Sequence, residues 1–145
     1  TIQEDIELWW NLFDVRAIGA DPAMAGQLMQ NLEDKRLPIV KYVNKAYMMS
    51  APVDDLMARA HAESEAQLLW YPNPVLDWCF SNAHGEKRKD GTILMFKESE
   101  SSVYKIDGAV ATAIANGLRL NPEFANKVRK KRSIYEDRGL HGATT

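Results

Sequence analysis

The sequence predicts an α/β fold, and three observations support this prediction. Segments in which apolar residues stand three and four positions apart, typical of amphipathic helices, alternate with short apolar runs typical of strands. The connections between them are only a few residues long, which favours neighbouring parallel strands joined by helical crossovers. The chain has 145 residues, of which 46% are hydrophobic, and this is enough for one compact domain with its own core.

The first half of the chain alternates helical and strand patterns. Residues 2–13 and 23–32 have the helical spacing, and the apolar runs at 15–20 and 37–42 predict strands on either side of the second helix. Further on, Ser50-Ala51-Pro52-Val53-Asp54-Asp55 combines a capping residue, a proline and two acids. This combination predicts that a third helix starts there and runs to about residue 63.

The second half contains a strand candidate, a turn and two more helices. The strand candidate is residues 67–71, and Asn73-Pro74 predicts a helix start directly after it. The polar residues 84–91 end in Asp90-Gly91, a hairpin signal, and β-prone residues 92–96 follow. Asp107-Gly108 opens a last helical pattern at 109–120, which Asn121-Pro122 ends.

Composition excludes several classes of protein. The longest apolar stretches span only four or five residues, so none approaches the ~20 residues of a transmembrane helix. The single cysteine, Cys79, cannot form an internal disulfide, and three scattered histidines offer no zinc spacing, which favours a reducing cytoplasm. The chain begins at Thr1 without a signal-like segment, and we expect it to be cut from a longer protein.

Charge divides the chain into a core and a tail. The formal net charge is −2, yet residues 121–145 carry six basic and three acidic side chains. We therefore predict a core at residues 1–120 and a basic tail at 121–145. Five of its six cations are Lys127, Arg129, Lys130, Lys131 and Arg132. Such a run suits DNA or an acidic protein surface, although many charge runs are simply solvated.

Two aspartates stand where backbone geometry would fix a side chain. Asp21 follows the first predicted strand, and Asp107 precedes the last helix. In parallel α/β sheets, ligands bind at such strand ends. A structural alternative stays open for both residues, because an aspartate before proline is a common N-cap and Asp107 can equally cap its helix and complement the helix dipole.

Four segments, in this order, resemble a known nuclease domain. They are Ile18-Gly19-Ala20-Asp21-Pro22, then Asn73-Pro74-Val75-Leu76-Asp77-Trp78-Cys79-Phe80-Ser81-Asn82-Ala83, then Lys97-Glu98 with Lys105-Ile106-Asp107-Gly108-Ala109-Val110-Ala111, and finally Ser133-Ile134-Tyr135-Glu136-Asp137-Arg138-Gly139-Leu140. Together they are similar to the C-terminal nuclease domain of the large terminase subunit of tailed bacteriophages. The ordered set is specific, whereas Asp-Pro alone would be weak.

The resemblance implies a fold, an activity and a metal site. It implies an RNase H-like mixed sheet flanked by helices, here lacking the first strands, in an endonuclease that cuts concatemeric double-stranded DNA during genome packaging. It also implies Mg²⁺ or Mn²⁺ held by Asp21 and Asp107 as catalytic carboxylates. The family's first aspartate would lie before Thr1, so we expect a two-metal site that is incomplete and a fragment that is weakly active or inactive alone.

The resemblance also implies partners in the cytoplasm of a bacterial host, and no membrane. These partners are DNA, the portal protein, the small terminase subunit and an N-terminal ATPase domain, whose glycine-rich phosphate loop does not occur in these residues. A sheet edge left open by missing strands would favour a homodimer of the fragment. Lys97 and the run Lys87-Arg88-Lys89 are candidates for contacts with the DNA backbone, although solubility explains them equally well. The rival function is a docking module without activity that binds DNA, the portal or the ATPase.

Overall fold

The computed structural model describes residues 1–61, 68, 71–97, 99 and 103–125. They contain both helices and strands, and the predicted α/β class is confirmed. The elements in chain order are α1 (Ile2–Leu12), β1 (Ile18–Ala20), α2 (Pro22–Asp34), β2 (Ile39–Lys41), α3 (Ala46–Ala60), α4 (Pro74–Ser81), β3 (His84–Lys87), β4 (Ile93–Phe96), α5 (Asp107–Leu120) and α6 (Pro122–Ala125). No helix in these ranges has the length and apolar character needed to cross a membrane.

Strands β1 and β2 form a parallel pair with α2 between them in the chain. Ile18 pairs with Ile39 and Ala20 with Lys41, so the predicted neighbouring parallel strands are confirmed. Because the strands are parallel, their carboxyl ends lie at the same edge of the sheet. The residues that follow each strand are therefore brought close together.

The second sheet is a hairpin. Strands β3 and β4 pair antiparallel, with His84 opposite Phe96 and Lys87 opposite Ile93. Gly91 closes the turn with a φ of 84°, a conformation that glycine adopts without steric cost. Of the predicted loop or hairpin, the hairpin is thus confirmed, whereas residues 84–87, predicted as part of a polar turn, form strand β3. Among the described residues the hairpin forms a sheet separate from β1 and β2. The predicted strand at 67–71 and the tail beyond residue 125 lie largely outside the described residues.

Helix α3 begins at Ala46, so the predicted start at Ser50 is wrong. Pro52 lies inside the helix and has no N–H for the carbonyl of Met48. That carbonyl instead accepts a hydrogen bond from the Tyr42 hydroxyl at 2.9 Å. Ser50 is not a cap, because it lies inside the helix, whose N-cap is Lys45, and its Oγ accepts the N–H of Ile93 at 2.8 Å. Tertiary contacts therefore allow the helix to continue through a proline.

Helix α5 is at the centre of the packing, in contact with α3, α4, α6 and β1. Its small residues permit this close approach, and Ala109 and Ala113 are fully buried. A Cβ at Gly117 would lie 2.6 Å from Tyr42 Cζ and 2.9 Å from Pro52 Cγ. Gly19 of β1 leaves room for α5 in the same way. A Cβ at Gly19 would lie 2.6 Å from Cγ2 of Ile114, a residue of α5.

A buried amide joins α5 to α3. Asn116, 7% exposed, donates from Nδ2 to the Pro52 carbonyl at 2.9 Å and to Asp55 Oδ2 at 3.0 Å. Its Oδ1 accepts from Arg119 Nε at 2.8 Å, and Arg119 also bonds Asp55 at 2.7 Å. A hydrogen bond from Arg59, followed by the one from Asn116, holds the pKa of Asp55 below its ordinary value. The side-chain nitrogen and oxygen of the buried amide are therefore both satisfied.

The contact between Tyr42 and the Met48 carbonyl can be tested by a double-mutant cycle. Tyr42→Phe should lower the free energy of unfolding by about 1–3 kcal/mol, because it leaves a part-buried carbonyl without a donor. In a Pro52→Ala background residue 52 regains its N–H, so the same substitution should cost clearly less. Urea denaturation measures both costs, and equal costs in the two backgrounds would contradict the assignment.

A second prediction follows from the close approach of Tyr42 and Pro52 to Gly117. Gly117→Ala should destabilise the protein by about 1–3 kcal/mol, because the added methyl meets the rings of Tyr42 and Pro52. Gly26→Ala is the matched control, since it also adds a methyl within a helix but meets nothing within 4 Å. It should be neutral or stabilise by up to about 1 kcal/mol. Thermal unfolding compares the two, and equal melting temperatures would refute the packing argument.

Candidate active site

Both oxygens of the Asp21 carboxylate are held by the backbone at the end of β1. The residue follows β1 directly and is the N-cap of α2, where its Oδ1 accepts the N–H of Ala23 at 3.0 Å. Its Oδ2 accepts the N–H of Asn44, three residues beyond β2, at 3.0 Å. The capping alternative is thus confirmed for Asp21. The hydrogen bond from Asn44 is not part of the cap. It links the carboxylate to the segment that follows the neighbouring strand, β2.

These contacts favour the ionised form of Asp21. Hydrogen bonds from the amides of Asn44 and Ala23 hold the pKa of its carboxyl below the ordinary value, with a smaller contribution from the charge of Lys45. Burial acts in the opposite direction and is outweighed. A carboxylate that is negative at neutral pH and fixed in orientation is suited to hold a cation.

The side chain of Asp107, unlike that of Asp21, is not held by hydrogen bonds from other described residues. Asp107 lies in the first turn of α5 behind the N-cap Ile106, which makes no side-chain capping bond. Capping is therefore wrong for Asp107, whereas its place in the first turn does complement the dipole of α5. Its side chain is exposed and forms no hydrogen bond or ion pair with another residue in the described part of the chain. The backbone beside it is held closely, because a Cβ at Gly108 would lie 2.9 Å from Leu76 Cδ1 of α4.

One groove of about 1450 Å³ is lined by both aspartates. Its walls come from β1, the end of β4 and α5, and they are largely apolar. Four cationic residues also line it, namely Arg16, Lys97, Lys105 and Arg119. The groove therefore combines two carboxylates with several positive charges, a pairing suited to a metal ion and a phosphate together.

The structure separates the predicted DNA contacts into two groups. Lys97 is half-buried and lines the groove. The run Lys87-Arg88-Lys89 is exposed at the hairpin turn and is not part of the groove wall. Asn44, Arg16, Lys105 and Arg119 also line the groove, and the sequence analysis did not single them out as candidates. Lys105 stands two positions before Asp107 in the same motif and was open to detection, whereas Arg119 lines the groove only because α5 runs along it.

The donors in this groove fit a hard divalent cation. Mg²⁺ takes oxygen ligands and is commonly held by one or two carboxylates together with substrate phosphates and water. Asp21 and Asp107 provide two carboxylates on one groove. Within the described ranges, no three His, Cys, Asp or Glu side chains group together as a metal site. These residues therefore fit part of a metal site.

The family of the protein follows from a comparison with family models. The model for the endonuclease domain of the terminase large subunit matches residues 2–121, which is most of the chain. The chain belongs to this family, and its mixed α/β architecture is consistent with an RNase H-like nuclease domain. Neither a curated protein nor a solved structure gave a match.

The anchored carboxylate predicts a pH-dependent difference in stability. Asn at position 21 caps as well as Asp but presents only one acceptor oxygen, so Asp21→Asn loses one of the two amide bonds. A lowered folded pKa stabilises the fold above the unfolded pKa of about 3.9, and this contribution disappears as pH falls through the folded pKa. Wild type should exceed Asp21→Asn in unfolding free energy at neutral pH, and the gap should close below about pH 4. Denaturant titrations at several pH values measure it, and a gap independent of pH would contradict the anchoring.

Proposed function

We propose that this domain cleaves concatemeric double-stranded DNA during phage genome packaging, with Asp21 and Asp107 as ligands of Mg²⁺ or Mn²⁺. The observation that carries the proposal is that both carboxylates line one groove together with cationic side chains, in a member of the terminase endonuclease family. An α/β scaffold presenting acids beside a parallel strand end is suited to phosphodiester hydrolysis.

The two aspartates have complementary parts in this proposal. Asp21 is held by two backbone amides and provides a ligand of fixed orientation. Asp107 is exposed on the first turn of α5 and can adjust to the metal. Mg²⁺ or Mn²⁺, when bound, would polarise the scissile phosphate and lower the pKa of the attacking water. Lys97 and Lys105, on the same groove, orient the DNA backbone without reading its sequence.

The proposal also includes the setting of the reaction. The domain acts in the host cytoplasm with the portal protein, the small terminase subunit and a packaging ATPase domain. A further aspartate from a strand outside these residues completes the two-metal site. On this proposal the 145-residue chain by itself cleaves DNA weakly, because fewer carboxylates offset the charge of two metal ions.

Substitution of the two aspartates tests the proposal. In the large terminase subunit that carries this domain, Asp107→Asn and Asp21→Asn should each reduce DNA cleavage by about 100-fold or more, because a carboxylate ligand is lost. Asp54→Asn is the matched control, since Asp54 is exposed on α3 and is not part of the groove wall. Cleavage of plasmid DNA in Mn²⁺ measures the effect. Full activity of Asp107→Asn would refute the proposed site.

The second candidate is a docking module without activity, favoured by the exposed hairpin. Lys87, Arg88 and Lys89 are exposed at the hairpin turn and do not line the groove, and there they could contact DNA or an acidic protein surface. If docking is the function, replacing all three by alanine should abolish association with DNA, while Asp107→Asn should leave it unchanged. If cleavage is the function, Asp107→Asn should abolish cleavage while the hairpin variant keeps measurable activity.

A further inference from the structure

Asn44 lies beside Asp21 at the carboxyl end of the neighbouring strand. Its main-chain N–H donates to Asp21 Oδ2 at 3.0 Å, and the residue lines the groove that also contains Asp107. It is exposed, and its side-chain amide has no hydrogen-bond partner among residues of the described ranges. Asn44 thus combines a fixed backbone position with an uncommitted side chain.

The backbone of Asn44 is held on both sides. The N–H of Lys45 donates to the Val43 carbonyl at 2.8 Å, which closes a three-residue turn centred on Asn44. Since its φ is not positive, this is the common inverse γ-turn. Lys45 is then the N-cap of α3. The turn and the bond to Asp21 together determine where the side chain of Asn44 begins.

Covalent geometry keeps the amide oxygen of Asn44 close to Asp21. Only four bonds of about 1.2–1.5 Å each separate its main-chain nitrogen from Oδ1. The nitrogen is itself in hydrogen-bond contact with the Asp21 carboxylate. Rotation about two side-chain bonds is therefore sufficient to bring Oδ1 beside the carboxylate. Amide oxygens, like carboxylates, are ligands that hard divalent cations accept.

We propose that Asn44 supplies an amide-oxygen ligand to the metal site of Asp21 and Asp107. This inference rests on the proposed function and adds a third oxygen donor, from the segment that follows β2, to the two carboxylates. The alternative is that Asn44 is present only for its turn, because asparagine is common in turns. The two explanations differ in their consequence, since a turn residue has no effect on the affinity for a metal.

Binding of Mn²⁺ alone to the 145-residue chain, followed by electron paramagnetic resonance, tests the inference without any measure of activity. Asn44→Ala should weaken binding by about tenfold or more, because one ligand is removed while the main-chain N–H to Asp21 remains. Asn44→Asp should bind at least as tightly as wild type, since it replaces the amide oxygen by a charged one. Asn11→Ala is the matched control and should leave affinity unchanged, because Asn11 is exposed on α1 and does not line the groove.

The carboxyl titration of Asp21, followed by carbon NMR, separates a lost ligand from a displaced loop. In Asn44→Ala the low pKa of Asp21 should persist, since its cause, the main-chain N–H, is unchanged. Weakened Mn²⁺ binding with that pKa retained supports the inference. Weakened binding together with a raised pKa of Asp21 would mean that the turn has moved, and would overturn it.

Two further outcomes distinguish this inference from the proposed function. If Asp107→Asn weakens Mn²⁺ binding and Asn44→Ala does not, the inference fails and the two-carboxylate site stands. If wild type binds no Mn²⁺, or if neither Asp21→Asn nor Asp107→Asn changes its binding, the metal site and the inference both fail.

Discussion

The close packing of α5 against its neighbours is the constraint on which the rest of the structure depends. Gly117 allows Tyr42 and Pro52 to approach α5 closely. Gly19 allows β1 to approach another side of the same helix. Interiors are packed so densely that a single added methyl group at such a contact is felt. Because α5 also contacts α4 and α6, a shift at any one of these contacts would be transmitted to the others.

This packing also creates the groove. Helix α5 lies against β1, so the residue that follows β1 and the first turn of α5 contribute to one groove wall. Asp21 and Asp107, 86 positions apart in the chain, thereby line the same space. The hydrogen bond from Asn44 adds the end of β2 to this arrangement. The candidate site is therefore a consequence of parallel strand pairing together with the placement of one helix.

Local patterns predicted most elements but failed where a distant residue completes the local chemistry. Residues 50–55 contain the usual signals of a helix start, yet α3 begins at Ala46 because Tyr42 satisfies the carbonyl that Pro52 leaves free. Asn116 gives no signal in the sequence, and its role depends on the carbonyl of Pro52 and on Asp55, about sixty positions away. Such contacts have no local periodicity and are not readable from spacing.

The sequence by itself determined the α/β class, the family resemblance and the two aspartates as candidates, because these depend on periodicity and ordered motifs. Only the tertiary structure decided which features share a surface. It placed Lys97 on the groove of the two aspartates and the Lys87-Arg88-Lys89 run outside it, and it brought Asn44 to Asp21. It also decided that Asp21 caps a helix and Asp107 does not. The physical reason is that helix capping and the sharing of one surface depend on backbone direction and packing, which residue types alone do not specify.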